Sequence, residues 1–388
     1  MVSFDNTENA FKAKTNSELN RSYWLFKLIG NPVLVKLGAN FGPLALNIGF
    51  KGLIKSTIFK QFVGGETIHD CSVTIAQLGK YNIGTILDYS VEGKESERDF
   101  DNCLNETLET IKKAKSDANI PFCVFKVTGL ARFDLLVKVS AKETLSDSEK
   151  TEWLNVKNRV SKICKSAAES NQALFIDAEE SWIQPAIDDL ANENMALYNK
   201  TKAIIYNTHQ FYRHDRLSYL TNSLKNGKAN GYHVGAKLVR GAYMEKERLR
   251  AKEMGYPSPI QLTKEDSDKD YNEALKLCVE NIDIMGLCAG THNEKSSLYL
   301  VDQMAQKNIS PSDKRIYFSQ LFGMSDHISY NLSLNNYNVS KYLPYGPVKE
   351  VLPYLIRRAQ ENTSVKGQTG RELNLIMKEK KRRSELKK

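Results

Sequence analysis

Short apolar runs alternate with longer amphipathic segments along most of the chain after Gly84. Eight of these runs have the length of strands and are rich in β-branched and aromatic residues. They cover residues 85–89, 122–128, 173–177, 203–207, 234–240, 285–292, 315–320 and 339–345. Each run is followed by a stretch with helical character, for example 98–116 and 183–200. Eight parallel strands with helical crossovers predict an α/β fold of the (β/α)8 barrel type, and an open parallel sheet is the alternative.

The two ends of the chain differ from this alternating region. Residues 1–80 read as helical, with short apolar runs punctuated by glycine. Residues 378–388 hold seven Lys/Arg against two Glu, which supplies +5 of the net charge of +9. We therefore expect an N-terminal helical region over 1–80, the barrel over 81–365 and a basic tail over 366–388. Most such tails are solvated, although some contact anionic lipid or nucleic acid.

Composition narrows the class of protein. With 41% hydrophobic and 26% charged residues in 388, the chain is typical of soluble globular proteins. Its six cysteines form no CxxC pair and have no metal-ligand spacing with histidine, which predicts reduced thiols and no metal site. The N-terminus is polar, and no run of 18 apolar residues occurs. Residues 41–54 come nearest, but Asn47 and Lys51 interrupt them, so a buried helix is expected there more than one against a bilayer.

One helical run after the eighth predicted strand has an unusual polar side. Tyr354, Arg357, Arg358 and Glu361 fall on one side of it, and apolar residues fall on another. Two adjacent guanidinium groups can pair with both oxygens of a small carboxylate. A solvated helix face is the simpler interpretation. However, active sites of these barrels lie at the C-terminal ends of the strands, so we expect this last helix to lie over the barrel mouth.

Charged residues also occur inside or just after the predicted strands. Lys126 and Lys237 lie in strand interiors, where a cation is costly unless it is paired. Asp177 ends the third predicted strand and is the expected counter-charge. An edge position for either lysine is the alternative.

A second group of polar residues suits a large anionic ligand. Gly241 and Ala242 follow Arg240 after the fifth strand, so the backbone can approach a phosphate closely. His292 can donate to a ring or ribose, and Gln210 can address the edge of a heterocycle. No serine–histidine or cysteine–histidine nucleophile and no metal-binding carboxylate cluster stands out. The pattern favours an anionic substrate with an anionic organic cofactor.

These motifs resemble those of the proline dehydrogenase (proline oxidase) family, flavoenzymes built on a distorted (β/α)8 barrel. The resemblance runs in order from about residue 84 to 365. The matching segments are 125–130, 176–180, 206–210, 237–243, 290–293, 320–324, and Tyr342 with 354–361. Seven motifs in the same order are far more specific than any one of them.

The resemblance implies the reaction and its residues. It implies FAD-dependent oxidation of L-proline to Δ1-pyrroline-5-carboxylate by hydride transfer to flavin N5, with a quinone taking the electrons, as the first step of proline catabolism. Asp177 and Lys237 are the implied catalytic residues. The implied substrate-binding residues are Lys126, Leu238, Leu321, Tyr342, Tyr354, Arg357 and Arg358. The implied FAD contacts are Gln210, Lys237, Val239, Arg240, Gly241, Ala242, Thr291, His292, Asn293 and Glu361.

Some features point to a branch of the family. Many bacterial relatives have arginine and tryptophan where this chain has Lys237 and Met244, which indicates a subfamily. No aldehyde-dehydrogenase half follows residue 388, so the monofunctional form is expected. The resemblance places Tyr342 where a substituent on the substrate ring would be sensed, which favours proline over hydroxyproline as the substrate. The expected location is the cytoplasm, or the mitochondrion in a eukaryote, with peripheral contact of the tail and the apolar N-terminal segments with the inner membrane.

Two other functions account for parts of the pattern. A Schiff-base aldolase on the same barrel would use Lys126 or Lys237 as its nucleophile. A non-enzymatic nucleic-acid-binding protein would use the basic tail, and its binding would be sensitive to salt. The second leaves the buried lysines and the arginine pair unexplained, and no nucleic acid is expected as a partner.

Overall fold

Eight parallel strands close into a barrel in the part of the chain that the computed structural model describes, which is residues 2–31, 35–36, 51–90, 95–364 and 368–386. The strands follow one another in chain order around the barrel. They are β1 (Ile83–Tyr89), β2 (Phe122–Phe125), β3 (Ala173–Ile176), β4 (Ile205–Gln210), β5 (Val234–Val239), β6 (Met285–Gly290), β7 (Ile316–Leu321) and β8 (Val339–Tyr345). The predicted (β/α)8 class is confirmed, and the open sheet is excluded.

Helices precede β1, follow the strands and end the chain. Those before β1 are α1 (Thr7–Ala10), α2 (Asn16–Ile29), α3 (Lys51–Ile54, then a π-helical turn Lys55–Phe59, then Lys60–Phe62) and α4 (Ile68–Gly79). Those between the strands are α5 (Glu97–Lys115), α6 (Phe133–Ser140), α7 (Asp147–Glu169), α8 (Gln184–Tyr198), α9 (Arg216–Asn230), α10 (Met244–Met254), α11 (Lys264–Glu280), α12 (Glu294–Gln306) and α13 (Asp326–Leu334). After β8 come α14 (Val348–Ser364) and α15 (Gln368–Glu385).

The chain divides into two compact units, and residues 93–319 form one of them. Its strands bury an aromatic cluster. The Phe122 and Phe175 rings stack with centroids 4.4 Å apart, and Tyr206 and Tyr317 meet Phe122 edge-on. Such offset and edge-to-face contacts add to the free energy gained by burying the rings.

Residues 1–92 and 320–388 form the other unit. Here β1 and β8 pair in register from Ile83↔Val339 to Tyr89↔Tyr345. A separate apolar core is built from the N-terminal helices together with α14 and α15. Its members include Phe11, Phe26, Phe62, Val351, Leu355 and Ile376. The described residues before residue 80 are largely helical, and the predicted domain bounds stay a prediction.

The C-terminal basic segment differs from a solvated tail. Residues Gln368–Glu385 form α15, and its Leu375 and Ile376 are buried in the apolar core. Glu379 is buried and pairs with Arg382 and Arg383 on its own helix. The helix periodicity places two apolar residues and two acids, Glu372 and Glu379, among the buried positions. Residues 368–385 therefore form a packed helix and not the solvated tail that their charge predicts.

Several predicted strand boundaries need correction. The second strand ends at Phe125, because Val127–Gly129 form a 3-10 turn, so Lys126 is not in a strand interior. The fourth strand runs from Ile205 to Gln210 and is shifted from the predicted 203–207.

The structure tests only in part the expectation that residues 41–54 form a buried helix more than one against a bilayer. Most of the apolar stretch 41–54 lies outside the described residues. Within those residues, no helix combines the length and the apolar character needed to cross a bilayer.

Candidate active site

Asp177 and Lys237 form a buried ion pair at the strand ends of unit 93–319. Lys237 lies on β5 and Asp177 directly follows β3, and the Lys237 ammonium donates to Asp177 Oδ1. Lys237 is 5% exposed and Asp177 8%. Thr208 Oγ1 lies 3.4 Å from the same carboxylate oxygen, and the ammonium lies 5.2 Å from the Phe175 ring centroid. Asp177 is thus the counter-charge of Lys237, one of the two lysines for which it was predicted.

Glu179 connects two of the predicted site residues and was missed by sequence reasoning. Its carboxylate accepts from the Thr128 backbone N–H at 3.0 Å and from the Thr128 hydroxyl. That residue belongs to the turn that begins at Lys126, whose carbonyl accepts from Gly129. The Glu179 carbonyl accepts from Gln210 Nε2 at 2.6 Å. Burial raises the pKa of Glu179 to about 7 in spite of the hydrogen bonds from Thr128. Its position two residues after Asp177 was the available signal.

Arg240 is already bound by protein groups. Its guanidinium donates to Asp268 at 2.6 Å, to Thr291 Oγ1 at 2.7 Å and to Ser296 Oγ at 2.9 Å. Asn293 caps α12 by accepting from the Ser296 N–H at 3.1 Å. These residues tie the loops after β5 and β6 together. Direct contacts of Arg240, Thr291 and Asn293 with a cofactor stay predictions.

Gly241 occupies a backbone conformation that requires glycine. Its φ is +128°, and a Cβ there would lie 2.4 Å from an atom of the Tyr212 ring. Gly241 and Ala242 are both exposed, so a ligand can approach their backbone closely. The neighbouring Val239 and Arg240 carbonyls accept from Phe211 and Tyr212. Backbone hydrogen bonds therefore hold the chain at the end of β5, whereas Gly241 and Ala242, which follow, are exposed to solvent.

Two other predicted contacts in this unit are placed less clearly. Leu238 follows Lys237 directly, and successive strand residues face opposite sides, so it is expected on the face opposite the ion pair. It is fully buried, and its role against the substrate stays a prediction. His292 is half-buried after β6.

The arginine helix belongs to the other unit. In α14, the Arg358 guanidinium lies 5.2 Å from the centroid of the Tyr354 ring, which is buried. Arg357 and Arg358 are both half-buried, so this face is not fully solvated. A ring below a guanidinium restricts its orientation. The Glu361 side chain lies outside the described residues.

Leu321 and Tyr342 are neighbours in the same unit. Leu321 ends β7 half-buried, Tyr342 is buried in β8, and the Phe322 N–H donates to the Tyr342 carbonyl at 2.8 Å. Their predicted packing on a substrate ring stays a prediction.

His209 is buried on β4 without using its ring nitrogens. Neither nitrogen finds a hydrogen-bond partner among the residues that the structure describes. The ring lies 6.4 Å from the Phe211 centroid and 5.8 Å from that of Tyr219. Burial, and then the charge of Arg216, lowers the pKa of His209 to about 3. This histidine is a core residue that must stay neutral.

We expect His209 to make the protein sensitive to mild acid. Its ordinary pKa is about 6.5, so between that value and its folded pKa the unfolded chain binds a proton that the folded chain does not. Its contribution is intact above that range and is lost as the pH falls, by about 2 kcal/mol at about pH 5. His209→Phe should flatten the decline of unfolding free energy between neutral pH and that value. An unchanged pH slope in urea titrations would contradict this.

Comparisons with known proteins identify the family. The family model described as proline dehydrogenase matches residues 71–371. The chain belongs to the proline dehydrogenase family. The predicted resemblance and the enzyme class, an oxidoreductase, are thereby confirmed, which favours this class over the aldolase and nucleic-acid alternatives.

Similar proteins cover nearly the whole chain. "Proline dehydrogenase 1, mitochondrial" of Caenorhabditis elegans is 28% identical over 98% of this chain and 88% of its own length. The hydroxyproline dehydrogenase of Xenopus laevis is 32% identical over 96% of this chain and 88% of its own length. Some relatives are named for proline and others for hydroxyproline, at similar identity to this chain. Family membership therefore does not decide which of the two substrates is preferred.

A solved structure supports the fold alone. The proline utilization A protein of Bdellovibrio bacteriovorus superposes with a TM-score of 0.73 at 21% identity. The match covers 92% of this chain and 38% of that protein.

Proposed function

We propose that the protein oxidises L-proline to Δ1-pyrroline-5-carboxylate with bound FAD and passes the electrons to a quinone. The observation that carries the proposal is the buried Asp177–Lys237 pair at the strand ends of a barrel of this family. A buried ion pair is a poor source of stability, so its position at the strand ends, where barrels of this kind carry their active sites, favours a functional role. Proline is favoured over hydroxyproline as the substrate.

The residues after β5 suit a flavin nucleotide. The exposed backbone of Gly241 and Ala242 permits a close approach, and Lys237 supplies a cation four residues before Gly241 in the chain. Gln210, Thr291 and His292 are the further residues that we assign to FAD. When bound, FAD supplies the two-electron acceptor for the oxidation.

The protein groups then position the substrate. Proline enters as an ammonium and must lose a proton, because the nitrogen lone pair assists oxidation of the adjacent carbon. Asp177 already accepts from Lys237, so we assign it to orienting that lysine. Arg357 and Arg358 pair with the proline carboxylate, with Lys126 as a third cation, and each contact contributes about 1.5–3 kcal/mol.

An absorption spectrum tests the whole proposal. Purified protein should show flavin bands, and anaerobic L-proline should bleach them. A colourless protein that takes up no added FAD would sink the proposal.

Arg358→Ala tests the carboxylate assignment separately. The variant should keep its flavin and bind proline more weakly by about 2–4 kcal/mol, because the paired contact is lost. Lys349→Ala is the control, since Lys349 is exposed on the same helix. Proline titrations followed by flavin bleaching give both affinities, and equal affinities in the two variants would contradict the assignment.

Quinone reduction also suggests contact with a membrane surface. Lys378 and Lys381 are exposed on α15 and could meet anionic lipid. Flotation with anionic liposomes should recover the wild-type protein at low salt. Recovery that is unchanged in Lys381→Glu would remove this residue from the contact.

A further inference from the structure

Helix α10 follows β5 closely but has almost no apolar face. Its buried residues are Glu247 and Ala251, whereas Met244, Leu249 and Met254 are exposed. Helices in proteins are held mainly by burying an apolar face, so one without such a face needs other contacts. Those contacts are polar.

A set of four residues, the α10 clamp, joins this helix to the loop after β3. The Glu247 carboxylate accepts from the Ser181 N–H at 2.6 Å and from the Ser181 hydroxyl at 2.5 Å. Lys246, which precedes Glu247, donates to the carboxylate of Glu180, which precedes Ser181. Two consecutive residues of the helix thus bind two consecutive residues of the loop, which fixes its direction as well as its distance.

Glu247 is the residue on which the clamp depends. It is 0% exposed, while Lys246 keeps a side chain that is 57% exposed. A fully buried carboxylate is costly unless donors compensate it, and both of its oxygens are engaged by Ser181. The Lys246–Glu180 contact adds less by comparison, because its lysine is largely exposed to solvent. Loss of the Glu247 carboxylate would leave the Ser181 amide and hydroxyl without their acceptor.

The clamp lies between two loops that carry predicted site residues. Ser181 comes four positions after Asp177, and Glu247 comes four positions after Tyr243, which ends the segment 241–243. The Glu247 N–H donates to the Tyr243 carbonyl at 2.9 Å, so the carboxylate is joined to that segment through the first turn of α10. Gly241 and Ala242 are exposed and gain little support from burial.

We propose that Glu247 is a positioning residue that, through Ser181, holds segment 241–243 against the loop carrying Asp177. It fixes the backbone to which FAD is assigned without touching the cofactor. This inference rests on the proposed function, because only that function assigns FAD to residues 241–242.

The test compares Glu247→Ala with Glu245→Ala. Glu245 carries the same charge in the same helical turn but is exposed. In protein stripped of flavin, Glu247→Ala should speed hydrogen–deuterium exchange in peptides covering 241–247 by about ten-fold and leave β2 and β6 unchanged. Its dissociation constant for FAD should rise by about ten-fold, while kcat at saturating FAD stays near the wild-type value. Glu247→Gln keeps one acceptor and should recover part of both effects.

The outcomes separate the clamp from the proposed function. Exchange and FAD affinity equal to those of Glu245→Ala would overturn the inference. If Glu247→Ala does not fold, Ser181→Ala decides by the same readouts, because it removes one hydrogen bond and keeps the amide donor. If the wild-type protein binds no FAD, the proposed function fails. The exchange data then decide the clamp alone, faster exchange supporting it and equal exchange overturning it.

Discussion

Asp177→Ala is expected to reduce the free energy of unfolding by about 3–5 kcal/mol and to abolish proline oxidation. The reason is that Lys237 is buried against the Phe175 ring and loses its counter-charge. A buried ammonium is more costly when it loses a carboxylate with which it was paired. Urea unfolding measures the first effect, and anaerobic bleaching of the flavin by proline measures the second.

A double variant distinguishes the structural from the chemical role of this pair. Asp177→Ala combined with Lys237→Met removes both charges, and apolar replacement of a buried pair is often neutral for stability. We expect it to recover most of the lost stability and none of the activity. A double variant as unstable as Asp177→Ala would show that the loss comes from packing and not from an unpaired charge.

Lys341→Met, in the unit of residues 1–92 and 320–388, is expected to lower the free energy of unfolding by about 3–4 kcal/mol. Lys341 is fully buried in β8, donates to Asp326 Oδ1 at 2.8 Å and to the Met324 carbonyl, and lies 3.4 Å from the Leu321 carbonyl. Its removal takes one buried donor from each of these acceptors, although Asp326 keeps its ion pair with Lys14 at 3.0 Å. Urea unfolding measures the loss, with exposed Lys307→Met as the control. Equal stability in the two variants would contradict the expectation.

The same lysine should give the protein a second dependence on pH. Burial opposes ionisation of Asp326, but the charges of Lys341 and Lys14 outweigh it and hold its pKa well below its usual range. Such a group contributes stability above its ordinary pKa of about 4 that is lost as the pH falls. In Lys341→Met this acid-induced loss should shrink, which urea titrations at several pH values can measure.

The barrel could be predicted from the sequence because buried parallel strands are continuous apolar runs. All eight runs correspond to strands, and errors occur where polar strand ends or turns follow. Val127 continues the apolar run of β2 although it belongs to a 3-10 turn, so Lys126 was assigned to a strand. Nothing in the local pattern distinguishes these two conformations.

The site was predicted in part. The pairing of Asp177 with a strand lysine follows from the cost of burying charge, so the sequence could suggest it. Glu179 and Glu247 look like solvated carboxylates in a local pattern, because their partners lie far away in the chain. The Ser181–Glu247 contact spans 66 residues. Burial of α15 was missed because the seven cations of residues 378–388 outweigh the two buried apolar residues in any average over the segment.

The docking of α15 joins the two ends of the polypeptide. Arg371 bonds Asp5, and Arg383 donates to the carbonyl of Phe11 across 372 residues. Contacts at this separation are the last that a ribosome can supply, since synthesis proceeds from the N-terminus. The apolar faces of the first helices that pack against α15 therefore lack this partner until α15 has been synthesised.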